Sequence, residues 1–345
     1  MSYAGPGTSG TMTVVRNLTP FAALSLPLMN QRGEDVLVVL VAGRFDLPAA
    51  GRPASEPPRA SADQPVPSLG DVYWGTPGVS SLRREGQAVH ARPGTDIYLE
   101  GHAWAPGGRA CLQGHVEVTV GACRRAAVVH GDRVWRTGLS GVVPSTAGPF
   151  VRVPIRHERC FGGPSSERNP VGVGLHERKS QAIDQPLPNF EDPRVPLRAL
   201  GDRPLPQGFG PIARHWLPRR PLGGTYDAQW IETRAPLWPV DLDERFFSAA
   251  VPDLCAIPGL VGGESVRIEG VAPDGPIAFA LPRVALQAKF RIGSEVFRER
   301  MALDSLYLEP DDASFTMIWR AHALAQGRLL EGAATVRALE PWEAG

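Results

Sequence analysis

More than one residue in five of this chain is glycine or proline, 38 and 35 of 345, and that excess limits what it can become. Inside a helix each glycine costs about 1 kcal/mol and each proline about 3 kcal/mol, so coiled coils, helical bundles and solenoids of long helices are excluded. The chain is not a disordered Gly/Pro polymer either, because 43% of its residues are hydrophobic, enough to build a core. What remains is a mainly β fold of short segments joined by many turns. Its length suits two domains or one large one.

Hydrophobic patterning divides the chain into three blocks. Residues 11–155 form an N-terminal β-rich block. In it Val36-Leu37-Val38-Val39-Leu40-Val41 is short, β-branched and bounded by charges, as a strand buried on both faces should be. Ala49 to Ser68 reads as a long surface loop, and Asp96 to Trp104 as a strand. Val116 to Val120 alternates like a strand with one wet face, and Ala127 to Trp135 reads as a hairpin turning at Gly131-Asp132. Residues 156–257 are irregular and dense in Gly, Pro, Asn, Asp and Trp. Short helices are expected there at Thr225 to Thr233, capped by Thr225, and at Asp241 to Ala250, opening on Asp241 and Asp243. Residues 258–341 return to β, with a turn at Pro273-Asp274-Gly275 and a hairpin over Leu303 to Arg320. The whole predicts sandwich-like antiparallel sheets wrapped by a Gly/Pro-rich middle segment carrying a few short helices.

Charge and cysteine usage narrow the function classes. Lys plus Arg, 36, balances Asp plus Glu, 36, and no basic cluster stands out, which argues against a nucleic-acid binder. Cys111, Cys123, Cys160 and Cys255 are too sparse for a disulfide scaffold and lack zinc spacing, so a reducing cytoplasm fits. Met1 to Gly10 has neither the basic nor the apolar part of a signal peptide. The longest strongly apolar run, Val36 to Ala42, falls far short of the roughly 20 residues that span a membrane.

Catalytic signatures are missing. No Gly-x-Ser-x-Gly elbow occurs, and Gly138-Leu139-Ser140-Gly141 is one residue too short. Gly172-Val173-Gly174 follows Asn169-Pro170 rather than a strand, and its third glycine position is Glu177, so a tight loop explains it better than a nucleotide site. The eight histidines show no HExxH spacing, and His157 and His215 read as hydrogen-bonded structural residues. Glu191-Asp192, Asp241/Asp243/Glu244 and Asp311-Asp312 are the tightest acidic groups. Each has a structural explanation, in a Pro-flanked turn, at a helix start and in a β-turn. No catalytic residue, metal ligand or cofactor is expected.

The middle block carries an ordered series of signatures. Glu158-Arg159-Cys160-Phe161-Gly162-Gly163 is followed by Asn169-Pro170-Val171-Gly172-Val173-Gly174 and Leu187-Pro188-Asn189-Phe190-Glu191-Asp192-Pro193. Then come Gly208-Phe209-Gly210-Pro211-Ile212, Trp216, Arg219, Gly224-Thr225-Tyr226-Asp227, Trp230, Pro239 to Phe247, and Ala250-Val251-Pro252-Asp253. With Asn17-Leu18-Thr19-Pro20-Phe21, Gly131 to Trp135, Gly262-Gly263-Glu264 and Leu281-Pro282, the chain resembles, almost end to end, a large bacterial family of type VI secretion accessory or adaptor proteins. It departs at Leu254, where that family often has glutamine, and at Cys160, where serine is common.

The resemblance implies a cytoplasmic adaptor of a Gram-negative bacterium that loads an effector with a PAAR-like domain onto the VgrG spike, with neither nucleic acid nor membrane as partner. Such an adaptor needs aromatic and arginine anchors on a shaped surface rather than a catalytic group. The candidate partner-binding residues are Phe161, Asn189, Phe209, Trp216, Arg219, Tyr226, Asp227 and Trp230. The competing reading is that such residues lock the coil onto the sandwich, because Gly- and Pro-punctuated motifs encode backbone geometry. Two other functions stay open on the residues: a carbohydrate- or cell-wall-active enzyme of β-sandwich type, and a structural baseplate component.

Overall fold

The computed structural model of the chain describes residues 15–51, 57–139, 141–329 and 332–343. Met1 to Gly10, Ser140 and part of the Ala49 to Ser68 loop lie outside the described residues.

The fold is mainly β, and three sheets supply its frame. The largest has six strands in the order Cys255–Ala256, Thr95–Leu99, Ala302–Glu309, Ser314–Leu324, Asp35–Asp46 and Ala22–Met29. A five-stranded sheet runs Phe190–Glu191, Cys123–His130, Gln113–Val120, Ser265–Glu269 and Ile277–Ala280. A four-stranded sheet runs Val15–Asn17, Gly332–Ala338, Leu286–Ile292 and Glu295–Arg300. Pairing is antiparallel throughout these sheets except at two places. Thr95–Leu99 runs parallel to Ala302–Glu309, and Val15–Asn17 parallel to Gly332–Ala338. Each sheet mixes strands from the first and last sequence blocks.

The apolar run of Asp35–Asp46 explains the layering. Residues Val36 to Val41 are all 0% exposed, and period-two alternation sends them to opposite faces. Leu37, Val39, Val41 and Phe45 join a core shared with Val116, Val118, Ile268, Phe290 and Val336 of the other two sheets. Val36, Val38, Leu40 and Ala42 face outward into a second cluster with Tyr98, Tyr307, Ala249 and Ala250. Full burial of each such side chain is worth up to about 1.5–3 kcal/mol. The irregular middle segment therefore has an apolar face to cover, and it covers it.

The hairpin over Leu303 to Arg320 forms as Ala302–Glu309 on Ser314–Leu324, turning through Pro310–Asp312 and Ala313 in the left-handed region. The hairpin expected at Gly131-Asp132 does not form. Cys123–His130 instead pairs back on Gln113–Val120, and Trp135–Gly138 pairs with Gly141–Pro144. Gly131 is held against another segment, where a Cβ would come 1.9 Å from the Gly148 carbonyl oxygen. The strand expected from Asp96 to Trp104 is broken at Gly101, whose φ of 144° turns the chain before His102–Trp104 pairs with Arg152–Pro154.

Both expected middle helices are shorter than their patterns suggest. The first is Ala228–Thr233, capped by Asp227, which accepts from the Trp230 amide at 2.8 Å; Thr225 is engaged elsewhere. The second shrinks to a 3₁₀ turn, Glu244–Phe247, capped by Asp243. Buried arginines explain why it stops: Arg219 takes the Phe246 carbonyl at 2.7 Å and Arg92 takes that of Phe247. Among the described residues, no helix is long and apolar enough to cross a membrane.

Candidate interaction surface

Five of the eight residues expected to meet a partner are interior. Phe161 packs with Trp135, Leu187 and Leu197. Phe209 sits in the main core beneath the Arg125 guanidinium, 5.9 Å from its ring centre. Trp216 sets its ring edge-on to His157 and donates from Nε1 to His215 at 2.9 Å. Asn189 is a backbone clamp: its Nδ2 donates to the His130 carbonyl at 3.0 Å and to Asp132 at 3.1 Å, while its Oδ1 accepts from Arg159 at 3.2 Å. These side chains hold the coil in place and present nothing to solvent.

Arg219, the fifth, belongs to a buried ion cluster with no counterpart in the sequence reading. Its Nη2 donates to Glu85 Oε1 at 2.6 Å, and its Nη1 to the Ile212 carbonyl at 2.9 Å. Arg92 donates to Asp96 at 2.9 Å, and Asp96 also accepts from the Tyr98 hydroxyl and the Ala249 amide. Arg320 pairs with Asp304. Burial alone would raise the Glu85 carboxyl, but Arg219, Arg92 and Arg214 outweigh it and hold the group below its usual range. Charged residues almost never go fully inside unless paired, so single-residue charge in a sequence reads as surface. This cluster fastens the middle segment to the outer face of the six-stranded sheet.

Tyr226, Asp227 and Trp230 stand on the surface together, on a closed loop from Thr225 to Asp241. Asp241 pins its base: Oδ1 accepts from the Thr225 amide at 3.0 Å and Oδ2 from the Thr225 hydroxyl at 2.7 Å. Gly224 makes that closure possible. Its φ is 82°, and a Cβ there would fall 2.7 Å from Pro239 Cβ and 2.8 Å from Asp241 Oδ1. Inside the loop Trp230 donates from Nε1 to the Leu237 carbonyl at 2.9 Å and meets Tyr226 edge-on, with 4.7 Å between ring centres. Arg234 ties the loop to the neighbouring turn, donating to the Trp238 carbonyl at 2.9 Å and the Gln31 carbonyl at 2.5 Å. Below it, Trp238 packs on Phe246 and Phe247, beside the ion cluster.

A compact loop held this firmly still leaves large apolar groups in water. Tyr226 is 49% exposed, Ile231 64% and Val240 80%, with Asp227 and Glu232 among them. Ile231 and Val240 were not legible as surface anchors, since an isolated aliphatic residue in a sequence reads as core. Self-packed loops of this size are frequent carriers of function.

Four of the acidic side chains singled out in the sequence are ion-paired. Glu191 pairs with Arg133, Asp192 with Arg194, Asp243 with Arg245, and Asp311 with His102. Burial pushes the Cys160 thiol up to about 12 and the Cys255 thiol up to about 11, far from a reactive thiolate. Asn169, at the centre of the Gly172-Val173-Gly174 loop, gives its Nδ2 to the backbone carbonyls of His157 and Phe161, and a Cβ on Gly172 would collide with it. That loop is built around an asparagine. Among the described residues no three His, Cys, Asp or Glu side chains gather as a metal-holding group.

Residues 32–320 match a family described as uncharacterized protein conserved in bacteria (DUF2169). No curated protein and no solved structure matches the chain.

Proposed function

The chain belongs to the DUF2169 family of uncharacterized proteins conserved in bacteria, and we propose that it is a non-catalytic, cytoplasmic adaptor of type VI secretion. In this reading it binds an effector carrying a PAAR-like domain and delivers it to the VgrG spike. The observation that carries the reading is the Thr225 to Asp241 loop, rigidly closed yet exposing Tyr226, Ile231 and Val240. Pre-organised apolar groups bind with little ordering cost, and aromatic anchors concentrate binding energy at interfaces. The acidic neighbours Asp227 and Glu232 favour a partner whose apolar socket has a basic rim. The carbohydrate-active alternative has less support, because Glu191, Asp192 and Asp311 of the acidic pairs are each bound to an arginine or histidine.

The test is co-expression with an effector carrying a PAAR-like domain, followed by titration of the purified partners. The wild-type chain should form a stable 1:1 complex. Ile231→Asp with Val240→Asp should weaken it at least about tenfold, as loss of an interface anchor does, without lowering thermal stability. A monodisperse wild-type protein that ignores both effector and spike would overturn the reading.

A further inference from the structure

The four-stranded sheet ends on an open strand. Glu295–Arg300 pairs with Leu286–Ile292 on one side only. Its two-residue turn, Gly293-Ser294, makes Ile292 and Glu295 the closing hydrogen-bonded pair. At the far end the Met301 amide donates to the Leu286 carbonyl at 2.9 Å. Odd-numbered residues of the strand therefore bond inward, and the backbone groups of Val296, Arg298 and Arg300 point outward. Among the described residues no backbone group pairs with them. Beside this edge lies a cleft of about 490 Å³, bordered on its other side by the end of Ser314–Leu324. An unpaired row of this kind is a template for a further strand.

The side chains along the edge say which kind of strand fits. Arg298 and Arg300 share the outer face of the sheet with Lys289 and Arg291 of the next strand and with Arg16 across the sheet. The sequence shows no basic cluster because these positions are scattered; pairing gathers them. All five are exposed, and none is ion-paired among the described residues. Two acids near them are already engaged, Glu295 by Arg328 and Glu343 by Arg337. Lys289 stands directly opposite Arg298, a like-charge pairing that costs a sheet stability. The other face of the strand carries Phe297 and Glu299, which line the cleft with Leu324.

We infer that Glu295–Arg300 is a docking edge for an extended acidic segment of a partner protein, added antiparallel as a fifth strand. In that pairing the residues opposite Val296, Arg298 and Arg300 turn their backbone groups to the edge and their side chains to the basic face. Carboxylates at alternate positions then meet Arg298 and Arg300 and offset the repulsion between Arg298 and Lys289. The residues between them face Phe297 in the cleft, where Glu299 disfavours further acids. A second copy of this edge is excluded, because pairing it antiparallel with itself sets Arg298 against Arg298. Nucleic acid fits less well: no strand residue on the basic face is aromatic, so bases have nothing to stack on. Its sugar-phosphate backbone also offers no N–H to the open carbonyls. The edge shares no residue with the Thr225 to Asp241 loop, so either surface can fail alone.

Fluorescence anisotropy with the full chain tests this. The probe is the peptide Glu-Val-Glu-Val-Glu-Val-amide, labelled at its N-terminus. It should bind saturably, and the same peptide with Gln for Glu at least about tenfold more weakly, the combined worth of two or three cross-strand charge pairs. N-methylation of the three glutamates caps the amides that face the edge and should weaken binding at least about tenfold. N-methylation of the three valines caps amides that face away and should leave it nearly unchanged. Arg298→Glu with Arg300→Glu should abolish binding; should that variant not fold, the N-methyl pair decides on the wild-type chain. Four results would overturn the assignment: no saturation below about 1 mM, equal binding of the Glu and Gln peptides, equal loss from both N-methylations, or tighter binding of a single-stranded oligothymidylate.

Discussion

Arg219 and Glu85, 134 positions apart in sequence, meet at 2.6 Å with both side chains buried. The pair joins the irregular middle segment to the outer face of the six-stranded sheet, and Arg92 and Arg214 share the same carboxylate. Removing the acid leaves three guanidinium groups facing one another. Glu85→Gln should therefore cost about 3–5 kcal/mol, the range for breaking a buried pair, read from urea unfolding. Replacing Glu85 and Arg219 together by leucine and methionine should cost less than the single change, since two guanidinium groups rather than three are then left facing the site. A double variant weaker than Glu85→Gln would contradict this account.

Asn189 should prove structural. Its amide group serves His130, Asp132 and Arg159, and Asn189→Ala leaves the half-buried His130 carbonyl without this donor. A loss of about 1–3 kcal/mol is expected in chemical denaturation. Binding of the effector, corrected for the folded fraction, should not change.

Thr225 and Asp241 hold the loop closed. Thr225→Val keeps the shape of the side chain and removes its hydroxyl donor. Limited proteolysis should then cut between residues 225 and 241 faster than in the wild-type chain, while the rest of the fold resists as before. Unchanged cleavage would show that the Thr225 amide bond to Asp241, Trp230 and Arg234 hold the loop without the hydroxyl.

Stability should fall on mild acidification. Burial, with His322 and Arg320 nearby, lowers His90 from its ordinary 6.5 to about 4, and its ring lies edge-on to Phe247. Burial likewise lowers His157. Between pH 6.5 and 4 the unfolded chain takes up protons that the folded chain refuses, so stability drops as pH falls through that window and is flat just above it. Glu85, lowered in the fold, adds its own loss only below the ordinary carboxylate range. Urea midpoints at pH 7.5 and 5.0 should differ in that sense, and less so in His90→Gln. A midpoint that rises on acidification would reverse the assignment.

Strand character was legible where a short β-branched run is bounded by charges, as in Val36 to Val41, and where burial follows period two, as in Val116 to Val120. The hairpin over Leu303 to Arg320 was legible from its turn residues. The wrong hairpin at Gly131-Asp132 shows the limit: that dipeptide satisfies a turn rule, but its glycine serves a close approach to Gly148. Helix lengths failed for a related reason, since distant arginines capture the carbonyls of Phe246 and Phe247. Of the signature residues, Phe161, Asn189, Phe209, Trp216 and Arg219 lie inside, and Tyr226, Asp227 and Trp230 lie on the Thr225 to Asp241 loop. Phe161, Phe209 and Trp216 look like anchors because they are large, and large side chains also fill cores. Which aromatic stays outside depends on long-range closure, such as Thr225 with Asp241, that no local window contains.

The strand Asp35–Asp46 has one neighbour made at once and another made last. Its hairpin with Ala22–Met29 is local, whereas Arg44 meets Ser314 across 270 positions. At about 5–20 residues per second on the ribosome, that wait lasts roughly 15–50 s. Throughout it a strand with seven consecutive apolar residues, Val36 to Ala42, stands with an open edge while translation continues. The strand's second edge is therefore completed only once the far end of the chain has been made.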